Sequence, residues 1–110
     1  MAHFYVYETV DIPIKLKTEN TEILKDYTEI VVSIVQKNPL VQIDKFTDEI
    51  GINVETNTLT IHLSQEETAK FYADKVAEVQ VNIYYENTER DTSAKGTIDV
   101  LENLYKKQMP

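Results

Sequence analysis

His3 and His62 are the two imidazoles of a chain that has no cysteine, so imidazole chemistry of any kind must be built around one of them. His3 stands in an N-terminal stretch expected to be mobile. His62 stands on a predicted strand with Thr60 as its same-face neighbour, and no second ligand or orienting carboxylate lies at a recognisable spacing, which reads as a surface histidine. No Ser-His-Asp order, Gly-x-Ser-x-Gly elbow or His-Glu-x-x-His run occurs. The missing cysteines remove disulfides, thiolate zinc sites, iron-sulfur clusters and thiol nucleophiles together. Among the acids, Glu66-Glu67 are explained by helix capping. Asp44, Asp48 and Glu49 match no calcium loop and lack its turn glycine, so they read as a solvated acidic turn. Gly51 and Gly96 stand alone, far from the glycine-rich turns that cradle phosphates. The expectation is a protein without catalytic residues, metal or cofactor, and not an enzyme.

Seven tyrosines are the one unusual supply of functional groups. Tyr84-Tyr85 at a predicted strand end, with Tyr5 and Tyr7 near the N-terminus, offer an exposed aromatic strip for protein or sugar contacts. The alternative is that one of each pair packs inward while the other covers its neighbours on the sheet. Both remain open at this level.

Charge narrows the partners. The 110 residues carry 19 acids against 11 bases, a net charge of -8, and one arginine, Arg90. A phosphate backbone or an anionic membrane surface calls for clustered Lys and Arg, so neither nucleic acid nor membrane is expected as a partner. The segment from Met1 to Glu8 has no basic region followed by a long apolar core, which argues against a secretory signal. With 42% hydrophobic and 27% charged residues the composition is that of a folded domain, expected to be one unit over residues 1–110.

The elements that position these side chains have a period of two, the signature of half-buried strands. Val10, Ile12, Ile14 and Leu16 alternate with Asp11, Pro13, Lys15 and Lys17, and Pro13, with no N–H to donate, suggests an edge or a bulge. Lys17 to Glu22 reads as a polar turn. Ile30 to Gln36 is a β-branched run expected to be a central strand covered on both faces. Leu40 to Phe46 alternates, Ile50 to Glu55 is another short candidate, and Leu59, Ile61 and Leu63 point inward on a strand that exposes Thr60 and His62. Ser64-Gln65-Glu66-Glu67 fits a capping box and predicts a short helix near residues 65–71. Val79, Val81 and Ile83 share a face of the next strand, Glu86 to Ser93 reads as a polar loop, and Gly96 to Leu101 as the last strand, followed by a basic tail expected to fray. The fold expected is all-β: an antiparallel, immunoglobulin-like β-sandwich of about seven strands with that one short helix.

Three stretches carry a family resemblance: Leu59-Thr60-Ile61-His62-Leu63-Ser64-Gln65-Glu66-Glu67-Thr68-Ala69-Lys70-Phe71, Val79-Gln80-Val81-Asn82-Ile83-Tyr84-Tyr85 and Gly96-Thr97-Ile98-Asp99-Val100. Together they resemble small bacteriophage and prophage virion proteins with an immunoglobulin-like β-sandwich, similar to the N-terminal domain of phage baseplate upper proteins. The resemblance implies a non-catalytic structural protein of the tail or baseplate region. It would be made in the bacterial host cytoplasm and incorporated in the virion on assembly, with other virion proteins or copies of itself as partners.

Overall fold

A computed structural model describes residues 2–17, 23–93 and 95–106. Among them run β1 (His3–Tyr5), β2 (Val10–Lys15), β3 (Tyr27–Gln36), β4 (Val41–Phe46), β5 (Ile50–Asn53), β6 (Thr58–Leu63), α1 (Gln65–Thr68), β7 (Lys75–Tyr85), β8 (Arg90–Thr92) and β9 (Gly96–Leu101). A 3-10 turn at Thr47–Glu49 joins β4 to β5. Two sheets form. The larger has the order β1-β9-β7-β3-β4 with β8 also paired to β7, and the smaller has the order β2-β6-β5.

Alternation explains the layering. Ile30, Val32 and Ile34 of β3, Val79, Val81 and Ile83 of β7, and Leu59, Ile61 and Leu63 of β6 all face the space between the sheets, where they form one core with Phe4, Ile12, Leu24, Ile98 and Val100. Each fully buried aliphatic chain contributes about 1.5–3 kcal/mol of transfer free energy. Phe4 and Phe71 close one end edge to face, their centroids 5.4 Å apart. β2 is an edge strand, as Pro13 suggests, since a residue without an N–H is tolerated where no ladder continues.

Several expectations are corrected. β3 lies inside the larger sheet but only one face is covered: Val31, Ser33 and Val35 are half-buried on the outer face, because the sandwich has two layers and, among the described residues, nothing packs beyond it. The pairing is not wholly antiparallel, since β1 runs parallel to β9 with His3 opposite Asp99 and Tyr5 opposite Leu101. That pairing also makes His3 part of a strand. The span read as a loop from Glu86 to Ser93 contains β8, in which Arg90, Asp91 and Thr92 face Tyr84, Ile83 and Asn82. Polar composition hid this strand: all three residues are exposed, so no inward apolar position marks it. The helix stops at Thr68, after which Lys70 and Phe71 make i→i+3 bonds to Glu67 and Thr68 and the chain turns into β7 through Asp74 at φ 62°. Residues 18–22 of the turn placed at Lys17 to Glu22, and the tail from residue 107, lie outside the described residues.

Polar side chains lock the connections. The capping box forms as expected, with the Glu67 amide donating to Ser64 Oγ (3.1 Å) and the Ser64 amide to the Glu67 carboxylate (3.0 Å). Glu67 has a second role, because Lys45, on the inward row of β4 after Ile43, reaches it at 2.6 Å while remaining nearly buried. Burial pushes the Glu67 carboxyl upward, but the bonds from Lys45 and Ser64 outweigh it and hold the group below the usual carboxylate range. Gln36, 1% exposed, donates from Nε2 to the Tyr72 carbonyl (2.9 Å) and accepts the Tyr72 amide on Oε1 (2.8 Å). Thr68, fully buried, donates to the Glu8 carbonyl at 2.8 Å and ties α1 to the segment after β1.

Candidate interaction surfaces

The four tyrosines singled out from the sequence do not form one strip. Tyr5 pairs with Leu101, next to Val100, which faces Lys75 at the start of β7. Tyr84 is nine residues further along β7, so at about 3.3 Å per residue the two positions are about 30 Å apart, at opposite ends of the larger sheet. Within each pair the roles also diverge. Tyr5 is 40% exposed and stacks edge to face with His3, whereas Tyr7 is half-buried against the core at φ 67°, inside the turn closed by the Glu8 amide on the Tyr5 carbonyl (3.1 Å). Tyr84 lies on the outer face under the Arg90 guanidinium, 5.2 Å from its ring centroid. Tyr85 points toward the core side, and its hydroxyl donates to the Ile23 carbonyl at 2.6 Å. Burial, then the nearby Asp91 carboxylate, pushes that phenol above its ordinary pKa.

The histidines acquire neighbours that spacing along the chain hid. His62 faces Asp11 across the β2–β6 ladder, with Nδ1 at 2.8 Å from a carboxylate oxygen. The pair is exposed, and no group of three or more His, Asp or Glu that could hold a metal ion occurs among the described residues. Asp44, weighed as a calcium ligand, accepts from Ser33 Oγ at 2.6 Å and from Gln42 Nε2 at 3.1 Å. Glu29 accepts from the amide and hydroxyl of Thr47, chiefly the hydroxyl, and this lowers its pKa. These carboxylates are engaged in holding strands and turns together.

What the fold does present is the outer face of the larger sheet. Register places Thr92, Asn82, Val31 and Phe46 in one row across β8, β7, β3 and β4, then Gln80, Ser33 and Asp44 in the next, then Thr97, Glu78, Val35 and Gln42. Val31 and Val35 are half-buried in the middle, Phe46 is 50% exposed at the β4 edge, and polar chains surround them, the Asp44 and Glu78 carboxylates among them. This mixture of apolar centre and hydrogen-bonding neighbours is the composition of protein interfaces. Sequence alternation identified the β7 side of this face, but not that β4 extends it. Among the described residues no helix is long and apolar enough to cross a membrane.

Comparison with known proteins locates the chain by fold. No protein-family model matches it, and no curated protein matches its sequence. Solved structures do match. One belongs to a 1.5-MDa bacterial ice-binding adhesin, in work on its retention at the host cell surface, with a TM-score of 0.54 and 13% identity over 93% of this chain and 28% of the adhesin chain. Another is a chicken T-cell receptor structure, with a TM-score of 0.51 and 8% identity over 94% of this chain and 55% of the receptor chain. The chain thus spans well under two thirds of either of these structures. At such identities the likeness establishes architecture: the protein is an all-β, immunoglobulin-like sandwich.

Proposed function

We propose that this chain is a non-catalytic interaction module that binds protein, copies of itself included, through the outer face of its larger sheet. The observation that carries the reading is the Val31, Val35 and Phe46 group set among Ser33, Gln80, Asn82 and Gln42, on the open side of a sheet whose other side supplies the core. Rigid strands position it, so binding needs little reorganisation. The adhesin and receptor structures that share the fold support a module of this kind. Within that class, the stretches from Leu59 to Phe71, Val79 to Tyr85 and Gly96 to Val100 favour a structural subunit of a phage or prophage tail or baseplate, in which the net charge of -8 keeps free subunits apart until a complementary surface neutralises it.

Light scattering of the purified protein, alone and mixed with individual tail and baseplate proteins, tests the reading. Association that Val31→Glu abolishes, in a variant whose circular dichroism and melting stay near the parent's, is the expected outcome. A protein that remains monomeric and binds none of these proteins refutes the assembly role.

A further inference from the structure

We propose that the groove between β2 and the β8–β9 edge accepts an extended segment of a partner protein in which apolar and acidic residues alternate. This rests on the interaction-module reading and gives it a partner chemistry and a second site. On this flank both sheets end. β2 is the outer strand of the smaller sheet, and in the larger sheet β1 covers β9 only from Asp99 to Leu101, leaving β8 and the Gly96–Thr97 stretch without a further strand among the described residues. The Leu16 amide donates to the Asn57 carbonyl at 2.9 Å, on the β6 side. Antiparallel alternation therefore turns the peptide groups of Asp11, Pro13 and Lys15 outward. Pro13 has no N–H to offer, so the edge is blunted at its middle and open at Lys15, the end that borders the groove.

The groove has a volume of about 520 Å³ and an apolar floor of Ile14, Leu16, Val79, Val81 and Ile83. An added strand points alternate side chains one way, so every second residue would be apolar and enter that floor. The intervening residues would meet the rim, where Lys15, Lys17 and Lys95 stand against Asp91. Lys15 and Lys17 have no acidic partner among the described residues, and Lys95 reaches Glu78 only at 3.8 Å. In a chain of net charge -8 this local excess of cations selects an acidic occupant. β1 lies along the same edge and runs parallel to β9, so an entering strand would continue a line that a strand already follows.

The test is an NMR titration of the 15N-labelled protein with an acetylated heptapeptide alternating glutamate and valine, beside a lysine–valine counterpart and a glutamate–valine peptide with a central proline. The expected result is shift changes centred on residues 14–17, 79–83 and 91–96 for the glutamate peptide, weaker binding of the proline peptide, and at least tenfold weaker binding to the Lys15→Glu/Lys95→Glu variant. That variant should prefer the lysine peptide. Absence of binding, equal binding of both charge types, or affinity unchanged by the charge reversal overturns the proposal. So does binding of dodecanoate in the groove without peptide, which makes it an amphiphile site, or self-association lost on charge reversal, which makes the occupant a second copy. Because Val31→Glu acts on the outer face and the lysine variant on the groove, failure of this site with outer-face assembly intact leaves the module reading standing. Loss of outer-face assembly with peptide binding intact does the reverse.

Discussion

Gln36 is the side chain whose removal should be felt furthest from its own position. Its amide replaces a missing stretch of ladder, holding the Tyr72 amide and carbonyl at 2.8 and 2.9 Å and approaching the Lys75 carbonyl at 3.4 Å. Gln36→Leu keeps most of the volume but leaves two backbone groups of the α1–β7 connection without partners. At about 1–3 kcal/mol for each buried unpaired group, the expected loss is about 2–6 kcal/mol. Tyr72 itself is half-exposed, so water can reach this connection and the lower half of the range applies. Against a total of about 5–15 kcal/mol for a domain of this size, that is a large fraction. Gln36→Glu sharpens the test. The introduced carboxyl can accept from the Tyr72 amide but, when ionised, sets charge against the Tyr72 carbonyl, so burial and that oxygen raise its pKa above the unfolded value of about 4.3. The neutral acid still donates. The deficit is therefore small below the unfolded pKa, grows as pH rises through the folded pKa and is complete at neutral pH. Urea unfolding followed by circular dichroism at pH 4 and pH 7 measures both variants. If Gln36→Leu matches the parent, or if the Gln36→Glu deficit is the same at both pH values, the hydrogen-bonding argument is wrong.

Other perturbations separate the remaining contributions. Lys45→Ala should lose about 1–3 kcal/mol by leaving Glu67 unpaired and a void beneath β4, whereas Lys45→Met keeps the stem packing and should lose less, as paired denaturant curves will show. The stabilisation from Glu67, whose pKa is depressed, should be fully present above the ordinary carboxylate pKa of about 4.3 and fade as pH falls through the lower folded value; the gap between parent and Glu67→Gln unfolding curves at pH 6 should narrow steadily as the pH is lowered below that ordinary value. Phe4→Ala removes a fully buried ring packed edge to face on Phe71 and should lose about 3–5 kcal/mol, with hydrogen exchange rising first at Asp99 and Leu101 on β9.

Legibility in the sequence followed the chemistry of each element. Strands with alternating aliphatics on one side, β2, β6, β7 and β9, were readable because burial imposes that period, and the helix start was readable because Ser64 and Glu67 satisfy each other locally. β8 was not, since an exposed three-residue strand is specified by its partner rather than by its own composition. The double cover expected for β3 failed for a related reason: Val31 and Val35 look like core in a linear string, and only the layer count shows that they face outward. Lys45 and Gln36 sit on inward rows that period two could have flagged, yet their polar types pointed the other way. That Tyr5 and Tyr7 stand far from Tyr84 and Tyr85 follows only from strand register, which the chain order does not supply.

The parallel pairing of β1 with β9 also sets how the domain would carry tension. A pull between Ala2 and the residues after Leu101 draws the two strands past each other along their length, because each is held at the end opposite to the other. The Asp99 amide on the Ala2 carbonyl (3.1 Å) and the Val6 amide on the Leu101 carbonyl (3.0 Å), with the ladder between them, then lie across the direction of slip. They must break together rather than unzip in turn. A short three-residue strand thereby becomes a mechanical clasp, placed where a load passing from one neighbour to the next would enter and leave.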